Sequence, residues 1–145
     1  MIRATVNTSQ FKHATRQYTQ AVTDMVQDES KKSAETLATR IRNVAPKDEG
    51  GIVQSVKVEA VAGGFAVYVG GSTTTRKVGT RTYVMKSGRP RKGKPVDYAK
   101  IQEYGAPTMN IPAQPYINPA RSKVRKAYNR RIRSRLTKIA KAHSG

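Results

Sequence analysis

Cysteine is absent from all 145 residues. That excludes disulfide staples, thiolate-bound zinc and thiol chemistry, and it suits a chain made in a reducing compartment. No stretch approaches the ~18 consecutive apolar residues of a membrane span, and the opening MIRATVNTSQ lacks the apolar core of a signal peptide. A soluble protein with no membrane partner, not exported by the usual route, is expected. Apolar side chains are themselves scarce: 37% of residues are hydrophobic and the mean hydropathy is −0.65, below the usual globular share. A chain of this length holds one core and is short for two, so a single domain spanning 1–145 is expected, with appendages that fold against neighbours.

Reactive groups are equally thin. The two histidines, His13 and His143, stand near opposite ends, and no spacing resembles a metal triad or a nucleophile–base pair. Paired carboxylates occur at Asp28-Glu29, inside a helical pattern, and at Asp48-Glu49, beside glycines where an aspartate shapes a turn. Gly63-Gly64 and Gly70-Gly71 are not followed by Gly-Lys-Ser/Thr, so neither forms a phosphate-binding loop. Neither an enzyme nor a metal or cofactor site is expected.

Acidic residues run out halfway along the chain. Residues 1–72 carry nine Lys/Arg against seven Asp/Glu, a net +2, whereas residues 73–145 carry nineteen against two, a net +17. Such a field attracts phosphate backbones and acidic protein surfaces alike.

What the chain does contain is periodicity. Phe11, Ala14, Tyr18, Val22 and Met25, then Ala34, Leu37, Ala38 and Ile41, recur at helical spacing. This predicts a long helix over 9–43, capped by Thr8 or Ser9 and stopped at Pro46, with a kink or break near QDESKK. Two alternating runs on either side of Gly63-Gly64 predict a β-hairpin over 52–70. Residues 71–95 hold eight cationic side chains and read as a long basic loop or second hairpin. A short helix over 96–104 is closed by Gly105, and Asn118-Pro119 opens a helix over 119–142. Ten Lys/Arg between Arg121 and Lys141 surround its narrow apolar stripe. The predicted architecture is α+β: a long N-terminal helix and a basic C-terminal helix on a small antiparallel sheet, with the 71–95 segment protruding. Tyr98, Ile101, Tyr104 and Tyr116 are expected to form a buried cluster under the last helix.

Three ordered segments carry a more specific pattern. Ala45–Val56, APKDEGGIVQSV, resembles the Pro-x-Asp-x-Gly-x-Leu-x-x-Ser-Ile stretch of a tail-component family of long-tailed bacteriophages, variously called neck, tail-completion or head-to-tail joining proteins. Tyr98–Gly105, YAKIQEYG, is similar to that family's Tyr-Ala-x-x-x-Glu-Tyr/Phe-Gly box. Ile111–Ala120, IPAQPYINPA, is similar to its Pro-Phe/Tyr-Leu/Ile-x-Pro-Ala box before the last helix. Ile52 replaces the family's usual Leu, and the basic insertion up to Pro95 has no counterpart of matching length.

The motif positions Pro46, Asp48, Gly50, Tyr98, Glu103, Tyr104, Gly105, Pro115, Tyr116 and Pro119 read as structural joints, with Glu103 capping a helix or pairing with a cation. The resemblance implies a homo-oligomeric ring of six or twelve copies around the DNA channel of a virion neck, assembled in the host cytoplasm. Its partners would be portal-side adaptor or stopper proteins and tail-tube or tail-terminator proteins. Within that picture Arg76, Lys77, Arg81 and Tyr83 belong to an intersubunit arm, and Arg125, Arg130, Arg131, Arg133, Arg135 and Lys138 face a partner or double-stranded DNA. An acidic ring neighbour is the expected counter-charge, because a channel must let DNA slide. The rival reading is a basic architectural or ribosome-associated nucleic-acid-binding protein, although no zinc finger, helix-turn-helix or aromatic ribonucleoprotein motif supports it. A nuclease or toxin lacks an acid/base set.

Overall fold

The computed structural model describes residues 8–46, 51–71, 75–76, 83–84, 90–91, 96–107 and 110–143. Helix α1 spans Thr8–Val44 and continues unbroken through QDESKK, where a kink or break was expected. Its last turn closes when Ala45 N–H donates to the Ile41 carbonyl at 2.8 Å, and Pro46 follows. A short helix α2, Gly51–Ser55, leads into the antiparallel pair β1, Lys57–Val61, and β2, Gly64–Tyr68. The hairpin is therefore shorter than the predicted 52–70, because Ile52 to Ser55 coil instead of extending. The turn is Ala62-Gly63, with Gly63 at φ +83°; Gly64 belongs to the strand and pairs with Val61.

The basic insertion is paired where it is described. Strand β3, Thr75–Arg76, pairs with β6, Val96–Asp97, and between them β4, Tyr83–Val84, pairs with β5, Pro90–Arg91, each antiparallel. This nesting is that of the second hairpin, one of the two forms expected. Val96 and Asp97 belong to β6, so helix α3 spans Tyr98–Tyr104, two residues later than expected, with the Asp97 carboxylate accepting from Ala99 N–H at 3.1 Å. Helix α4, Ile117–Ala142, starts two residues earlier than Pro119.

Helix α4 lies antiparallel along α1. Glu29 meets Arg131 near the middle, and the rings of Tyr18 and His143 meet edge-on at 5.6 Å near the far end. The main core cluster lies at the other end, where Ala38, Ile41 and Ala45 of α1 pack with Ile52, Val56, Ala99, Tyr116 and Ala120, while Met25, Ala34 and Val124 are buried further along the helices. Alanines at 38 and 120 bring the helix backbones close, and Ile41 and Ile52 are the largest fully buried side chains, each contributing about 1.5–3 kcal/mol. The hairpin lies over α1, and a Cβ on Gly64 would stand 3.2 Å from the Ser30 hydroxyl. The molecule is α+β: the two long helices α1 and α4 lie side by side, and the small β1–β2 sheet packs on α1.

Candidate functional site: a capped joint and a basic helix

The two motif segments at 98–105 and 111–120 form one bonded unit. An α-helix begins with four backbone N–H groups that have no partner within the helix. In α4 these belong to Tyr116, Ile117, Asn118 and position 119, where proline has no N–H to satisfy. Tyr116, at the cap position, makes no side-chain cap bond. The Glu103 carboxylate takes all three remaining donors: Tyr116 N–H at 2.8 Å and Ile117 N–H at 2.8 Å on Oε2, and Asn118 N–H at 2.9 Å on Oε1. Glu103 is 3% exposed, and its negative charge also complements the helix dipole. Of the two roles expected for this residue, it performs capping, on α4.

The rest of the joint positions that carboxylate. Gln114 N–H donates to the Gln102 carbonyl at 2.8 Å. Ala106 and Ile111 form an isolated antiparallel bridge. Gly105 closes α3 with its N–H on the Ile101 carbonyl. It sits at φ +74°, where a Cβ would lie 2.9 Å from Ala113 N, so glycine is required by conformation and by the close approach of two backbones. Tyr116 is buried against α3, its hydroxyl 3.4 Å from the Ala99 carbonyl. Burial, and then the nearby Glu103 and Asp97 carboxylates, push its phenol up to about 12.

The aromatic cluster is only partly assembled. Tyr116 is buried, Tyr98 and Ile101 are half-buried, and Tyr98 accepts from Gln102 Nε2 at 2.8 Å. Tyr104, expected in the cluster, is 66% exposed. Once Glu103 points inward to the cap, the next residue on a helix is turned about 100° away. Truncating Tyr104 to alanine is therefore expected to change stability by no more than about 0.5 kcal/mol, read as the shift of a urea midpoint. A loss above about 2 kcal/mol would return it to the core.

Of the first motif, Pro46 ends α1, while Asp48 and Gly50 lie outside the described residues. Ser55 supplies a contact that sequence reasoning missed. Its buried hydroxyl donates to the Ile52 carbonyl at 2.6 Å and accepts from Gly70 N–H at 2.9 Å, joining α2 to the end of the hairpin. Its place in the motif was the available signal. Arg42 closes the same corner by donating to the Val56 carbonyl at 2.8 Å. Of the arm residues, Arg76 falls in β3 and Tyr83 in β4; Lys77 and Arg81 lie outside the described residues.

The basic helix divides into two sets. Arg125, Arg130, Arg133 and Lys138 are exposed. Arg131 and Arg135, expected to face a partner, are instead engaged within the chain. Arg131 donates to Glu29 at 2.8 Å and to the Ser33 hydroxyl at 2.9 Å, and Arg135 donates to Glu29 at 2.8 Å and Asp28 at 2.9 Å. Glu29 is buried, its side chain 5% exposed. Hydrogen bonds from Arg131 and then Arg135, opposed by burial, hold its carboxyl below the usual range. Lys32 and then Arg135 do the same for Asp28, and the two carboxylates in turn raise Arg135. Both arginines keep about two-fifths of their side-chain surface, so solvent screens the pairs. Their clear effect is to set the register of α4 on α1.

Among the described residues, no three His, Asp or Glu side chains converge as metal ligands, and no helix is long and apolar enough to cross a membrane. No protein-family model, curated protein or solved structure matches this chain.

Proposed function

We propose that this chain is a non-enzymatic structural subunit that forms a ring in the neck or tail-completion complex of a tailed bacteriophage, joining the DNA-filled head to the tail. The observation that carries the reading is Glu103. The box YAKIQEYG supplies the carboxylate, and the box PYINPA supplies the N–H donors it holds together with the proline that needs none. The two stretches that resemble the phage family are thus halves of a single mechanical joint, which gives their joint occurrence a physical reason beyond chance similarity.

A ring also suits what the isolated chain leaves uncovered. Its main core cluster lies at one end, and Phe11, Val44, Tyr68 and Tyr104 are exposed at 72, 57, 49 and 66%. Assembly buries such surface by closing a symmetric contact. In this reading the 71–95 insertion is the intersubunit arm, the partners are a portal-side adaptor or stopper and a tail-tube or terminator protein, and the protein resides in the virion neck.

Negative-stain microscopy of the purified protein tests this directly, with rings of six or twelve subunits expected. Deleting residues 74–92 should leave the circular dichroism of a folded chain and abolish the rings. Intact rings after that deletion would remove the arm from the proposal, and a wild-type protein that stays monomeric at assembly concentrations would remove the ring.

A further inference from the structure

The Arg131–Arg135 clamp changes which cations of α4 are available. Lys123, Lys126, Arg130 and Arg133 are spaced three, four and three residues apart, so they share one side of the helix. All four are exposed, and among the described residues none is in an ion pair. Around them stand Ser122, Asn129, Ser134 and Thr137, and α4 contains no acidic residue at all. The two acids of the second half of the chain, Asp97 and Glu103, are committed to caps. Among the described residues no acidic side chain pairs with this face, which leaves it open to counter-charge from outside the chain.

We infer that the outer face of α4 is a contact surface for the phosphate backbone of duplex DNA. Two features favour DNA over an acidic protein. Protein interfaces draw their energy from buried aromatic and apolar anchors and are depleted in lysine, and this face has neither aromatic nor large apolar side chains. Phosphate contacts are made by Lys and Arg supplemented by Ser, Thr and Asn, the composition found here. The four cations span about 15 Å of helix at 1.5 Å per residue, the axial rise of about four base pairs.

The face is also rigidly presented, because Glu103 fixes the start of α4 and the Glu29 clamp fixes its middle. The need for DNA to slide is the ground on which the sequence favours an acidic neighbour, but a contact of this kind reads no bases and itself allows sliding, as non-specific phosphate binding does. It is therefore compatible with a channel, and it holds for a ring or a free subunit alike.

The test compares the wild-type protein with a variant carrying Lys123→Gln, Lys126→Gln, Arg130→Gln and Arg133→Gln. A control removes the same charge elsewhere, through Lys12→Gln, Arg16→Gln, Lys31→Gln and Lys57→Gln, all exposed positions. Glutamine keeps helix propensity close to that of lysine and arginine, and circular dichroism verifies the fold of each. Binding to a fluorescent mixed-sequence duplex is followed by anisotropy between 50 and 200 mM salt. Four lost phosphate contacts should flatten the slope of log affinity against log salt by about 3.6, while the control changes it by less than about 1.

Equal losses in both variants would mean that only the overall field attracts DNA, and an unchanged slope in the first would leave the face to an acidic protein neighbour. Either result overturns the inference, as would a difference above tenfold between two unrelated duplexes. Subunit number is measured in the same samples by mass photometry, so loss of rings and loss of DNA binding are separate results.

Discussion

Replacing Glu103 with alanine is expected to cost about 3–5 kcal/mol and to leave little folded protein at 37 °C. The carboxylate accepts from three backbone N–H groups at the start of α4. A buried donor left without a partner costs about 1–3 kcal/mol, while water entering the opened joint recovers part of that. A typical domain has only about 5–15 kcal/mol in hand, and this one has a small core. Glu103→Gln separates charge from shape: its single carbonyl oxygen can serve Oε2's two donors or Oε1's one, while its NH2 group confronts the remainder, so an intermediate loss of about 2 kcal/mol is expected. The measurement is urea unfolding followed by circular dichroism. A wild-type midpoint for Glu103→Ala would show that the cap carries no weight and would detach the two motif boxes from one another.

Tyr116→Ala should be comparably damaging, at about 3–5 kcal/mol, the range for truncating a large aromatic in a core. The ring is 4% exposed and packs in the core with Ile41 and Ala45 of α1, Ala99 of α3 and Ala120 of α4. Tyr116→Phe should cost less than about 1 kcal/mol, because the hydroxyl's bond to the Ala99 carbonyl is long, at 3.4 Å. The phenol also predicts a pH response. Its folded value is raised from 10.0 to about 12, so its neutral form is favoured in the native state. That contribution is complete below pH 10 and is lost as the pH rises from about 10 to about 12. Between those limits the wild type should lose stability relative to Tyr116→Phe; parallel alkaline unfolding of the two proteins would contradict the assignment.

How far these features could be read from the chain depended on whether their causes were local. The long helix was legible, since its apolar spacing and Pro46 lie within one segment. The unbroken passage through QDESKK was not, because Asp28 and Glu29 face partners more than 100 residues away, Arg131 and Arg135; locally, two adjacent acids look like solvent exposure. The run from Ile52 to Val56 alternates as a strand would, yet five residues are too few to distinguish period two from a helical turn. Burial of Ile52, Ser55 and Val56 decided for the turn. Tyr104 failed for a related reason: Tyr98, Ile101 and Tyr104 share a face by spacing, but Glu103 competes for the inward direction and wins because three donors await it. The motif pattern drew attention to Glu103, Gly105 and Tyr116; only the three-dimensional structure showed that Glu103 is the acceptor and α4 the helix it serves.

The nested pairing of the insertion bears on how freely it can vary. Its feet are pinned together at Thr75–Asp97 and Arg76–Val96, and Gly70 lies so close to Asp97 that a Cβ would come within 2.7 Å of the carboxylate. Once two ends are joined, residues added to the chain between them act on the rest of the fold through loop-closure entropy, which rises by about 0.6 kcal/mol for each doubling of length. Lengthening or shortening this segment by several residues beyond its feet thus barely disturbs the helices and the β1–β2 hairpin. Length and charge there are free to follow whatever the tip meets, while the body of the protein stays the same.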